Sequence, residues 1–134
     1  MSLDSTLVGR TFPATSPYRV SEERVAEFAA ASGTPYTPGG PVPATFPIVL
    51  AFAAMSDFLD EVGVDLSRIV HGEQKFAYAR PLAVGDELST GLTVASLRQI
   101  GGNDIIGIRS DVTDADGVAV CTTSAVLVHR GGAA

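Results

Sequence analysis

Two hydrophobic spacings divide the chain: helical intervals in its first half, then strict alternation with polar residues from about residue 69. Ser21 is placed to cap a first helix, Glu22 and Glu23 sit at the positive end of its dipole, and Gly33 stops it. Its apolar stripe, Val25, Phe28 and Ala29, is narrow, which predicts a surface helix lying over something larger. A second helix is predicted from Thr45, as its cap, through Pro47 in the first turn to about Glu61, ahead of Gly63. Phe46, Ile48, Val49, Leu50, Ala51, Phe52, Ala53, Ala54 and Met55 place apolar side chains on every side of it. A helix apolar all round is one enclosed all round. Asp57, Asp60 and Glu61 return its last turns to solvent.

Period-two patterning predicts four strands, over residues 69–79, 87–97, 105–113 and 118–129, with a further short strand near 14–20. Asp114, Ala115, Asp116 and Gly117 read as a hairpin turn, and Gly101, Gly102 and Asn103 make the preceding reversal. The order is strand, helix, enclosed helix, then antiparallel strands, which implies an α+β protein. A flat sheet cannot surround a helix. A curved antiparallel sheet wrapped around one long central helix, with a second short helix outside, is the economical solution: the hot-dog fold, as one domain over residues 1–134. Such a sheet leaves an edge strand and one helix flank open, so pairing with a second copy or a homologue is expected.

Composition narrows the function classes. The chain has 134 residues and a formal charge of −6, which argues against nucleic acid as a partner. Its 18% charged residues fall below the usual ~25%, as expected where a partner covers surface. The single cysteine, Cys121, supplies no disulfide framework or paired-cysteine metal site, and it suits the cytoplasm. No apolar run reaches the ~20 residues that span a bilayer, so no membrane segment is expected. Neither a metal nor another cofactor is expected, because no ligand spacing or phosphate-binding loop is present.

The strand at 69–79 carries most of the candidate chemistry. One row is Val70, Gly72, Gln74, Phe76 and Tyr78; the other is His71, Glu73, Lys75, Ala77 and Ala79. Strict alternation turns the first row inward and the second outward. Gln74 is then a polar amide in an apolar row, and leaving it unpaired costs about 1–3 kcal/mol. Its partner is either a neighbouring backbone group or a ligand in a pocket. His71, Glu73 and Lys75 read as a solvated or interface cluster, His129 as a surface residue, and Cys121 as a small packed side chain. At the start of the second helix, Pro47 lacks an N–H, leaving those of Phe46 and Ile48 to polarise a thioester carbonyl. The alternative there is an ordinary capped helix.

Several motifs bear a family likeness. Pro43-Ala44-Thr45-Phe46, then His71-Gly72-Glu73-Gln74-x-Phe76-x-Tyr78-x-Arg80-Pro81-Leu82-x-x-Gly85-Asp86-x-Leu88, then Gly102-Asn103-Asp104 and Thr113-Asp114-Ala115-Asp116-Gly117, resemble the MaoC-like dehydratase N-terminal domain family. The likeness runs from Val8-Gly9-Arg10 to Leu127. It implies a hot-dog protein that forms the substrate-binding half of an (R)-specific enoyl-thioester hydratase or 3-hydroxyacyl-ACP dehydratase in fatty-acid or polyketide metabolism. In that arrangement a homologous subunit supplies an Asp-x4-His motif. Residues 33–46 of this chain contain neither Asp nor His, so the resemblance implies a non-catalytic subunit with no catalytic residues of its own.

The resemblance also assigns Gln74, Thr45 and Phe46 to substrate binding, to which the helix-start N–H reading adds Ile48, and it implies an acyl-CoA or acyl-ACP ligand and a homodimer or a heterodimer with an Asp-x4-His subunit. The loop at 34–43, which helps roof the channel in the family, is short here. Two other readings compete: an active homo-oligomeric thioesterase using a carboxylate such as Asp57 or Glu73, and a non-enzymatic scaffolding module.

Overall fold

The computed structural model describes residues 5–12 and 17–130. A 3₁₀ turn (Ser5–Leu7) leads into β1 (Thr11–Phe12), β2 (Tyr18–Arg19) and α1 (Glu22–Ser32). The long helix α2 (Ile48–Glu61) follows, then β3 (Ile69–Tyr78), β4 (Glu87–Ile100), β5 (Asn103–Thr113) and β6 (Ala119–His129). Residues 14–16 of the expected first short strand lie outside the described residues, and β2 is its remainder. The sheet is antiparallel in the order β1-β4-β5-β6-β3, with β2 also pairing β4.

Local chemistry explains most boundaries. Ser21 Oγ accepts from the Arg24 amide at 3.2 Å, capping α1, and Gly33 closes it at φ 71°. At the β5–β6 turn the Asp114 carboxylate accepts from the Asp116 and Val118 amides, and Gly117 takes φ 78°. Asp86 ties the segment after β3 to β4. Burial pushes its carboxyl upward, but the Arg80 guanidinium at 2.9 Å and the Ala83 amide outweigh that and hold it low.

The start of α2 departs from expectation. The helix begins at Ile48 with Pro47 as its cap residue, no side chain caps it, and Thr45 is exposed. Tight turns precede it instead: the Phe46 amide donates to Pro43 O, Ile48 to Thr45 O and Val49 to Phe46 O. Proline at 43 and 47 favours this turn chemistry over an earlier helical start.

Two apolar clusters hold α2 against the concave face of the sheet. Met55, Phe58 and Leu59 pack on Leu92, Val94, Ile106 and Leu127, and Phe12 of β1 closes over Phe58 with ring centres 4.8 Å apart. Nearer the helix start, Phe46 and Leu50 pack on Val20, Leu88, Val112 and Val120, with Phe28 of α1 edge-on to Phe46. Each such large side chain, fully buried, contributes about 1.5–3 kcal/mol. The helix is not enclosed all round: Phe52 is 47% exposed and Ala53 is also exposed. The sheet covers one face of α2 and α1 reaches its start, so one flank stays open. With that qualification the arrangement is the expected hot-dog fold.

Candidate functional site

β3 is the terminal strand of the sheet, paired only with β6 among the described residues. Its register slips between His71 and Glu73, which leaves Gly72 as the extra residue of a β-bulge. Ahead of the bulge Ile69 pairs with His129 and His71 with Leu127; beyond it Gln74 pairs with Ala125, Phe76 with Thr123 and Tyr78 with Cys121. All five β6 partners belong to its buried row. The concave row of β3 is therefore Ile69, His71, Gln74, Phe76 and Tyr78. Strict alternation placed Val70 inside and His71 outside. The bulge reverses both, and Val70 is 49% exposed.

The bulge brings His71 and Gln74 together. Gln74 Nε2 donates to Lys75 O at 3.3 Å, so its Oε1 is the acceptor facing His71 Nε2 at 2.9 Å, and that imidazole nitrogen carries the hydrogen. Gln74 thus has the partner that its position demands and keeps a second amide hydrogen for a ligand. His71 bonds to an amide and, among the described residues, to no carboxylate.

His71 and Gln74 stand at the mouth of a narrow slot of about 10 Å³ between α2 and the sheet. One wall is a single helical stripe, Ile48, Ala51, Phe52 and Met55, at spacings of three and four residues. The other wall comes from β5 and β6: Ile108, Ser110, Thr123 and Ala125. The slot is apolar with two hydroxyls at its floor. Of the sequence-predicted site residues, it gathers Gln74 and Ile48. Thr45 is exposed, and Phe46 is fully buried in the cluster beside α1. The Phe46 and Ile48 amides are already bonded to Pro43 O and Thr45 O, so they are not free to polarise a carbonyl.

The carboxylates lie elsewhere. Glu73 is on the convex side, 3.2 Å from Lys75, and Asp57 is exposed and off the slot-lining stripe of α2. A second, larger cavity, of about 310 Å³ and open to solvent, lies at the other end of β3 among Val42, Ala44, Tyr78, Pro81 and Leu82. Across it the Tyr78 hydroxyl donates to Ala44 O.

One acid–imidazole contact does exist on the concave face. His129 Nδ1 lies 3.0 Å from Asp104 Oδ2, both side chains are buried, and Gln99 Nε2 donates to the other carboxylate oxygen. His129 is therefore not the surface residue that its place near the C-terminus suggested. Burial at a strand end depends on Asp104, its cross-strand neighbour, which periodicity does not reveal. The pair sits four residues along β6 from Ala125, about 13 Å at strand spacing, and does not line the slot.

Sequence reasoning missed His71, Ser110 and Thr123. The signal for His71 was Gly72, a glycine inside an alternating strand pattern. The hydroxyls carried none, because Ser and Thr inside a strand read as ordinary inward positions.

Comparison with known proteins places this geometry. The family described as FAS1-like, dehydratase domain region, matches residues 6–123. A UPF0336 protein of Streptomyces coelicolor is 40% identical over 145 aligned positions, covering 97% of each chain. One from Clavibacter michiganensis is 39% identical over 150 positions, covering 98% of each. Both alignments are longer than this 134-residue chain, so these relatives carry residues that it lacks. Among solved structures, a chain of the truncated HadBC (3R-hydroxyacyl-ACP dehydratase) complex of Mycobacterium tuberculosis superposes with a TM-score of 0.81 at 25% identity, over 91% of this chain and 96% of that one. A MaoC-like dehydratase superposes at 0.79 with 27% identity, over 96% of this chain and 43% of that one. The chain belongs to the FAS1-like dehydratase-region family and shares the hot-dog fold of the MaoC-like dehydratases.

Proposed function

We propose that this chain is the acyl-binding, non-catalytic subunit of an (R)-specific enoyl-thioester hydratase or 3-hydroxyacyl-thioester dehydratase, acting on CoA- or ACP-linked substrates. One observation carries the reading: the slot opens beside a free sheet edge, with an amide donor at its mouth and no acid–imidazole pair within it. Hydration needs a group to take or give the C2 proton and another to deliver water at C3. His71 lacks a carboxylate to orient it and cannot do both. A homologous hot-dog subunit carrying Asp-x4-His supplies that chemistry across the β3 edge, and the two-subunit HadBC complex supports such a partner.

In this reading Gln74 gives its second amide hydrogen to the thioester carbonyl, and His71 holds the amide by bonding its oxygen. Ile48 lines the slot beside that donor. Thr45 and Phe46 act through the turn that sets where α2 begins. Glu73, with its ion pair on the convex side, is not placed for a thioesterase role.

The test is Gln74→Leu in the complex with an Asp-x4-His subunit. Losing one hydrogen bond to substrate is worth about 1 kcal/mol, so KM for crotonyl-CoA should rise about five- to tenfold while the heterodimer persists. An unchanged KM would remove Gln74 from the substrate path.

A further inference from the structure

We infer that the slot is a site for one buried water molecule, anchored by the Ser110 and Thr123 hydroxyls beneath Gln74. The inference stands apart from the acyl-binding reading and does not need it. The slot measures about 10 Å³. A cavity needs about 10–15 Å³ of such space, roughly one water-sized sphere, to hold a water, and the water needs two to four polar partners. The slot meets the first requirement at its lower bound and takes nothing larger.

The partners stand on its floor. Ser110 and Thr123 are 1% and 2% exposed, and they sit opposite each other on β5 and β6. Among the described residues neither hydroxyl has a hydrogen-bond partner, and the two do not bond each other. Burying a hydroxyl without a partner is costly, so two of them side by side in one cavity call for a ligand that both accepts and donates. At this size that ligand is water. The side chains from α2, with Ile108 and Ala125 of the sheet, are apolar and leave the hydroxyls as its anchors. The water accepts from both of them on its two lone pairs. Above it, Gln74 pairs with Ala125, one step along the concave row from Thr123. Gln74 Oε1 accepts from His71 Nε2 at 2.9 Å and keeps a second lone pair. The water donates to that oxygen and so joins the floor of the sheet to the His71–Gln74 pair, while the second amide hydrogen of Gln74 stays free.

Magnetic relaxation dispersion of the water oxygen, which counts long-lived buried waters, tests the site on the full chain. Ser110→Ala combined with Thr123→Val removes both anchors and should hold one such water fewer than the wild type. Ala125→Val fills the slot from the β6 wall, leaves both hydroxyls in place and should lose the same water. Should the double variant fail to fold, Ala125→Val decides alone. A crystal structure of the wild-type chain should place a water within hydrogen-bond distance of both hydroxyls. An unchanged count in a folded variant would overturn the inference. So would a crystal structure in which the two hydroxyls bond each other, or backbone carbonyls, with no water between them.

Discussion

At the residue scale, Tyr78 joins strand to helix. Its hydroxyl donates to Ala44 O and so ties β3 to the turn from which α2 departs. Burial, with Cys121 adding to it, pushes the phenol up to about 12 from its ordinary 10.0. The folded state thus holds this proton more tightly than the unfolded chain. Tyr78 contributes stability in full below pH 10 and loses it as the pH rises through about 12. Phenolate absorbance should show a component titrating near 12 that disappears in Tyr78→Phe. That variant should also lose about 1 kcal/mol in urea unfolding near neutral pH. A Tyr78 that ionised near 10 would sit in open water, with its link to Ala44 absent. Residues at this scale were unevenly legible. The need of Gln74 for a partner could be read from its neighbours in sequence, and the identity of that partner could not. His71 and His129 were both placed outside because each owes its position to contacts that spacing does not encode: a bulge in one case, a cross-strand aspartate in the other.

At the scale of elements, the bulge in β3 decides what the slot contains. Deleting Gly72 removes the extra residue and keeps His71 and Ile69 in the concave row, since His71 is then two positions from Gln74. What the deletion removes is the local twist that sets Gln74 Oε1 against His71 Nε2, so acyl-CoA binding should fall about fivefold and repacking should cost about 1–3 kcal/mol in urea unfolding. Gly72→Ala is the control: its added Cβ meets only Val126 O, at 3.4 Å, in ordinary contact, and should cost under about 1 kcal/mol. A deletion that binds as well as wild type would disconnect the bulge from the site. The strands, the β5–β6 turn and α1 were readable to within a few residues because alternation, glycine and cap chemistry act locally. The start of α2 was not. Its apolar run extends back through Phe46, yet the prolines at 43 and 47 shape tight turns there and delay the helix to Ile48.

At the scale of the whole molecule, three observations converge on one side. Among the described residues β3 pairs along one side only of its ten-residue length, Val70 and Tyr78 on it are 49% and 40% exposed, and Phe52 on the neighbouring flank of α2 is 47% exposed. A long apolar edge left open invites another chain. The hot-dog architecture was legible because a helix apolar on nearly every side demands a wrapping sheet, and the open flank is where that demand goes unmet within one chain. The account's central claim is a division of labour: this chain holds the acyl group and a partner performs the proton transfers. Crotonyl-CoA hydration, followed by loss of the conjugated enoyl absorbance, tests it most directly. The purified chain should give no rate above buffer, and adding a hot-dog subunit that carries Asp-x4-His should produce turnover that neither the chain nor a His→Ala form of that subunit supports. Robust hydration by this chain alone would contradict the account.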